Sequence, residues 1–315
     1  MATISDCVTR TKRLLNSNTR TELDAVETAM TADGTTLHLK YQTDGIRAGS
    51  YISVEDGTNL PETMYVHSRN GEYATVQRQV DGSGATGGTA WSAGSTIEVE
   101  PRFSGHQILE SVKDAIRFMP NNLYGVSTAS VSFSDTTQSV ACAEMNDHDH
   151  GTPGTGFLHV LSATRTARSS EDRLLSFNVT VQRQTDKTYK VIRQEGLEKA
   201  VTCNIIYAHP FDVTTLNLNT DLETTVGMSS SMQDIPTLGA GLSLILGEES
   251  LRLDLHAQGD SRGDTALAAG DRTRYSMILQ AQYDRRVSEE SRRLMSLYGI
   301  RSGASASSVF PTTLR

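Results

Sequence analysis

A chain of 315 residues has ample material for a buried core, and its 37% hydrophobic, 6% aromatic and 21% charged content suits half-buried antiparallel strands better than a dense α/β core. A formal net charge of −8 excludes a chain that traps phosphate backbones by charge alone; duplex DNA nearby would be repelled rather than held. No apolar run approaches the roughly 20 residues that span a bilayer, and residues 1–10 lack the apolar stretch of a signal peptide, so a soluble, non-exported protein is expected.

The pattern predicts a first helix over about residues 5–15, capped by Ser5 and Asp6 and packing through Val8, Leu14 and Leu15, with a second short turn through Leu23, Val26 and Met30. From 33 to 101 the period changes to two. Leu37, Leu39 and Tyr41 alternate with polar residues, followed by runs at 51–54, 64–66, 73–80 and 96–99. Asp-Gly pairs at 33–34, 44–45, 56–57 and 81–82, and Asn-Gly at 70–71, mark tight turns between about five or six short strands of a small barrel or sandwich.

Ser104 then caps a second helix, with Ile108, Val112, Ala115, Ile116 and Met119 recurring three or four apart before Pro120. A longer strand-rich stretch follows from 126 to about 219, carried by runs at 129–133, 139–143, 157–163, 174–182, 190–192 and 201–207. It reads as an antiparallel sandwich of about six to eight strands, with a jelly roll as one arrangement. A third helix over about 232–256 has Pro236 in its first turn and Gly239, Ala240 and Gly241 leaving room for close helix contact. The fourth, about 270–298, puts Tyr275, Leu279, Tyr283 and Val287 on one stripe continued by Leu294 and Tyr298, with arginines and acids on its other faces. Residues 301–315 are rich in Ser, Ala and Gly and end in an apolar tip, as tails that order on binding do.

Three cysteines, Cys7, Cys142 and Cys203, match no zinc spacing and are expected to be buried thiols in a reducing compartment. Asp147, His148, Asp149 and His150 could ligate a divalent metal, but adjacent residues rarely converge on one ion; a solvated loop is the expectation, with no metal site. The Gly-rich stretch 81–88 lacks the Gly-Lys-Ser/Thr ending of a phosphate-binding loop and precedes a strand, so it reads as a hairpin tip. No pattern of a catalytic serine, a zinc protease or a catalytic cysteine occurs, and the pairs Glu248/Glu249 and Glu289/Glu290 read as surface charge; no catalytic residue and no cofactor are expected. The charges of the fourth helix, with Glu289 four residues before Arg293, read as an ion-paired face between subunits formed by Arg285, Glu289, Arg292 and Arg293.

Three segments carry a resemblance to a known family. Val76-Gln77-Arg78-Gln79-Val80-Asp81-Gly82 through Trp91-Ser92-Ala93-Gly94-Ser95 to Val99-Glu100-Pro101-Arg102-Phe103-Ser104 is similar to the strand, hairpin and helix lead-in of tailed-bacteriophage head-to-tail connector (neck adaptor) proteins. The run 201–211, ending Tyr207-Ala208-His209-Pro210-Phe211, resembles the closing strand of their inserted β-domain. The third, from Ile235-Pro236-Thr237-Leu238-Gly239-Ala240 to Ser288-Glu289-Glu290-Ser291-Arg292-Arg293-Leu294, resembles their helical pair.

The resemblance implies an α+β fold: a four-helix adaptor core (1–32, 103–124 and 228–300), a small inserted β-domain (33–102), a larger inserted β-sandwich (125–227) and an extended C-terminal tail (301–315). It further implies a non-enzymatic virion protein that forms a homo-oligomeric ring of about twelve copies below the portal. Such a ring binds a downstream neck or tail protein, lets double-stranded DNA pass without sequence-specific contact, and assembles in the host cytoplasm. The tail would dock on the portal protein by strand addition through Val309, Phe310, Pro311 and Leu314. Another neck or tail-terminator ring, a carbohydrate-binding sandwich with a loop at 146–156, and a metal-dependent hydrolase at 147–150 are the rival readings.

Overall fold

The computed structural model describes residues 2–16, 22–85, 88–120, 122–134, 136–146, 157–165, 175–176, 179–184, 188–194, 200–211, 216–257 and 269–298. Among these the fold is mixed α+β, with four α-helices, a curled half-barrel and a sandwich. The chain divides into two units. One comprises Met1–Phe118, Leu216–Glu223 and Ser230–Arg286; the other comprises the described residues of Met119–Thr215, Thr224–Ser229 and Val287–Arg315.

In the first unit, helix α1 (Ile4–Asn16) is capped by Thr3 together with Asp6, two residues before the expected Ser5. Thr3 accepts from the Asp6 N–H at 3.3 Å through Oγ1 while the Thr3 N–H donates to Asp6 Oδ2 at 2.8 Å, so two end groups are satisfied reciprocally. Ile4, Cys7, Val8, Thr11 and Leu15, spaced three or four apart, are buried. The expected short turn through Leu23, Val26 and Met30 is instead strand β1 (Glu22–Ala25) followed by two bridges, Val26 to Leu39 and Met30 to Trp91.

Strands β2 (Thr36–His38), β3 (Tyr51–Glu55), β4 (Glu62–Asn70), β5 (Tyr73–Gln77) and β6 (Thr96–Val99) join β1 in one antiparallel sheet of order β1-β6-β3-β4-β5-β2. The residues just after β1 and β2 meet: the Lys40 N–H donates to the Ala25 carbonyl at 2.9 Å and the Glu27 N–H to that of His38 at 2.8 Å. This draws the two edge strands together and curls the sheet around Ile52, Val54, Met64, Val66, Val76, Trp91 and Ile97. Gly71, φ 61, opens the two-residue hairpin loop between β4 and β5, and Gly57 and Gly82 also have positive φ; Gly34 and Gly45 turn without it. Tyr41, expected to alternate inward, is exposed, because β2 ends at His38.

One charged group lies inside this apolar core. The Glu62 side chain is wholly buried, and Arg78 grips it with two bonds, Nε to Oε1 at 2.8 Å and Nη2 to Oε2 at 2.6 Å. The Trp91 indole N–H donates to Glu62 Oε2 at 2.9 Å and the Gln79 N–H to Oε1 at 3.0 Å. Arg78 Nη1 donates to the carbonyls of Thr31, Ala32 and Gly34, and Nη2 to that of Thr89. This one pair therefore fixes two loops that have no regular ladder of their own.

Helix α2 (Gly105–Arg117) begins at Ser104 in a capping box with Gln107 and buries Ile108, Leu109, Val112 and Ile116. Helix α3 (Ile235–Ala257) packs on both α1 and α2. Its small residues set that closeness: a Cβ on Gly239 would lie 3.2 Å from the Ala115 Cβ and 3.3 Å from the Tyr283 ring, and one on Gly241 would lie 2.8 Å from Leu14 Cδ2. Between the helices and the outer side of the half-barrel runs a polar layer. Lys12 of α1 donates to Glu55 of β3 and, at 3.2 Å, to Glu98 of β6, while the Gly105 N–H at the start of α2 donates to Ser53 Oγ at 3.3 Å.

In the second unit, β7 (Gly125–Phe133), β8 (Ser139–Asn146), β9 (His159–Arg165), β10 (Leu175–Ser176), β11 (Val179–Arg183), β12 (Thr188–Arg193) and β13 (Val201–His209) form two antiparallel sheets, β10-β9-β13-β7 and β11-β12-β8. They share one core of Ala129, Val131, Phe133, Cys142, Tyr189, Val191, Cys203 and Ile205. The run expected as one strand over 174–182 is two strands in different sheets. The four- and three-stranded sheets make a sandwich, and their seven described strands fall within the expected six to eight. Strand β13, the last of the sandwich in sequence, is central, between β9 and β7.

Candidate assembly surface

The fourth helix, α4 (Ala269–Tyr298), has an inner and an outer face. Leu279 and Leu294 are buried and Tyr283 is half-buried, as the apolar stripe predicts, although Tyr275 at its start is 36% exposed. Polar bonds hold the inner side. The Tyr275 hydroxyl donates to the Leu14 carbonyl at 3.0 Å, and the Arg286 guanidinium clasps Asp234, just before α3, with bonds of 2.6 and 3.1 Å. A further Arg286 bond, of 2.8 Å, reaches the Ser231 carbonyl.

The four residues expected at a subunit interface differ in exposure. Arg285 and Arg292 are exposed and, seven residues apart, share one helix face. Arg293 is directed within its own unit, with Nε on Glu290 Oε2 at 2.6 Å and Nη2 on Ser229 Oγ at 3.0 Å. The expected Glu289–Arg293 pairing is therefore replaced by Glu290–Arg293, three residues apart, and Glu289 is half-buried. Glu290, expected as surface charge, is only 4% exposed.

Sequence reasoning missed what accompanies the two exposed arginines. Met277 is 68% exposed, Ile278 49% and Met295 58%, all placed by helical spacing around the face of Arg274, Arg285 and Arg292. Their signal was available: these apolar residues fall about 60° or more from every member of the Tyr275–Leu279–Tyr283 stripe. A mixed apolar and cationic face on a chain of net charge −8 suits contact with an acidic protein surface, where apolar area supplies affinity and charge supplies register.

The remaining predicted sites are placed as follows. All three cysteines are buried free thiols, and burial pushes the Cys7 thiol pKa up. Asp147, His148, Asp149 and His150 lie outside the described residues, as do Val309, Phe310, Pro311 and Leu314, and the side chains of Glu248 and Glu249. Among the described residues no group of three or more His, Cys, Asp or Glu could hold a metal ion, and no helix is long and apolar enough to cross a membrane. His209 is enclosed by backbone: it sits against Gly125 and Gly227, and its Nδ1 lies 2.7 Å from the Pro210 carbonyl. His159, edge-on to Tyr124 at 5.2 Å between ring centres, has its pKa lowered by burial. No protein-family model, no curated protein and no solved structure matches the chain.

Proposed function

We propose that this protein is a structural subunit without enzymatic activity that works as one copy in a ring, serving as the head-to-tail adaptor in the neck of a tailed bacteriophage. The observation that carries the reading is the outer face of α4, where Arg274, Arg285 and Arg292 alternate with exposed Met277, Ile278 and Met295 on an acidic chain. Repeated head to tail around a rotation axis, such a face meets an acidic surface of the next copy and closes a ring. The order of elements supports the same reading: helix, inserted half-barrel, helix, inserted sandwich, helix pair. It is the order that the resemblance to neck adaptors implies for an adaptor core with an extended tail.

In this reading the ring, of about twelve copies, lies below the portal in the virion and joins the capsid to a downstream neck or tail protein. Its work is geometric, and the net charge of −8 lets double-stranded DNA slide through without the counterion release that drives binding. The tail after residue 301 docks on the portal protein through Val309, Phe310, Pro311 and Leu314 by adding to its sheet. A chain truncated after residue 301 is expected to assemble into rings but to lose co-sedimentation with portal rings. Undiminished portal binding by the truncated chain overturns the tail's role, and binding of the intact chain to tail tube but not to portal makes the protein a tail terminator.

A further inference from the structure

We propose that Lys12, Glu55 and Glu98 form a proton-operated clasp, which grips α1 against the half-barrel when Glu98 carries a proton and loosens when Glu98 is ionised. The inference rests on the interior of the first unit and is independent of the assembly reading. Ile97 and Val99 point into the half-barrel core, so Glu98 projects from the opposite side, where Lys12 of α1 reaches it. Lys12 is 14% exposed and reaches both carboxylates, its ammonium bonded to Glu55 Oε2 and to Glu98 Oε1. Glu98 Oε2 is buried and has no hydrogen-bond partner.

Every element around Glu98 leaves it short of compensation. From α1 comes the single ammonium of Lys12; from β3 come Ser53, directly opposite Glu98 in the ladder, and the competing carboxylate of Glu55. From β1 comes Leu23, the cross-strand neighbour on the other side, which carries no charge. The start of α2 offers the Gly105 N–H, already given to Ser53. With both carboxylates ionised, one cation faces two anions, and one oxygen is dehydrated without a donor, an arrangement that costs free energy. A proton on Glu98 leaves a one-to-one Lys12–Glu55 pair and supplies an O–H to the layer. Burial raises the Glu98 pKa, Lys12 lowers it and Glu55 raises it again, with burial the largest influence.

A carboxyl whose folded pKa lies above its unfolded value stabilises the docked arrangement below the unfolded pKa, and that contribution is lost as pH rises through the folded pKa. Hydrogen exchange of the α1 and β6 amides in the full chain, corrected for intrinsic rates, reads this directly at about pH 4 and about pH 8, on either side of the window. Protection is expected to fall with rising pH by about tenfold for each unit by which the Glu98 pKa is raised. Glu98→Gln, similar in size and permanently neutral, should keep the high protection at both values. Lys12→Met should move the wild-type fall to higher pH, because the carboxylates lose their shared cation. Equal pH dependence in wild type and Glu98→Gln, or an unmoved profile in Lys12→Met, overturns the proposal.

Discussion

Replacing Arg78 with Met keeps most of the aliphatic stem and removes the guanidinium that closes the half-barrel core. Glu62 is then wholly buried with two donors, the Trp91 indole N–H and the Gln79 N–H, and no cation. The carbonyls of Thr31, Ala32, Gly34 and Thr89 lose the donor that tied them to the core. Breaking a buried pair from one side costs about 3–5 kcal/mol, a large part of the roughly 5–15 kcal/mol that stabilises an ordinary domain. Urea unfolding followed by the fluorescence of Trp91, the only tryptophan, reports on this site. Arg78→Met should lower the midpoint by the equivalent of about 3–5 kcal/mol. Glu62→Gln combined with Arg78→Met should be less damaging than Arg78→Met alone, because no charge is left uncompensated in the core. A single-variant loss below about 1 kcal/mol, or strictly additive losses in the Glu62→Gln and Arg78→Met cycle, would refute the view that this pair organises the loops.

Ser104→Ala breaks the capping box of α2 and should cost about 1 kcal/mol in the same urea assay, with Ser104→Gly recovering most of it. The three buried thiols should react with a thiol reagent only on unfolding, so the modification rate of the native protein should track global opening. Arg285→Glu with Arg292→Glu reverses charge on the exposed face of α4 while leaving the Arg286–Asp234 and Arg293–Glu290 pairs intact. The far-ultraviolet circular dichroism should be unchanged and the mass measured by light scattering should fall toward that of a single chain.

Local signals made some elements legible and non-local pairing hid others. Ser104 and Gln107 announce the start of α2 because a capping box is written within four residues, and the Asn70-Gly71 pair announces its hairpin for the same reason. Gly239 and Gly241 announce close helix packing because only small residues permit it. Strand β1 was hidden because its partner β6 lies more than 70 residues away, while Leu23, Val26 and Met30 imitate helical spacing. Glu62 and Glu98 were hidden for a related reason. Each occupies a strand position whose burial is decided by an element distant in sequence, Arg78 and Trp91 for one and α1 for the other. On α4 the apolar stripe was readable, but the choice of Glu290 rather than Glu289 as the partner of Arg293 depends on which side of the helix is covered.

Electron-microscopy class averages of the purified full chain, alone and mixed with portal rings, test the central claim most directly. The account predicts closed rings of a single rotational order with an open channel wide enough for duplex DNA, stacking coaxially on the portal. A monodisperse monomer under both conditions, or open filaments that never close, would contradict it.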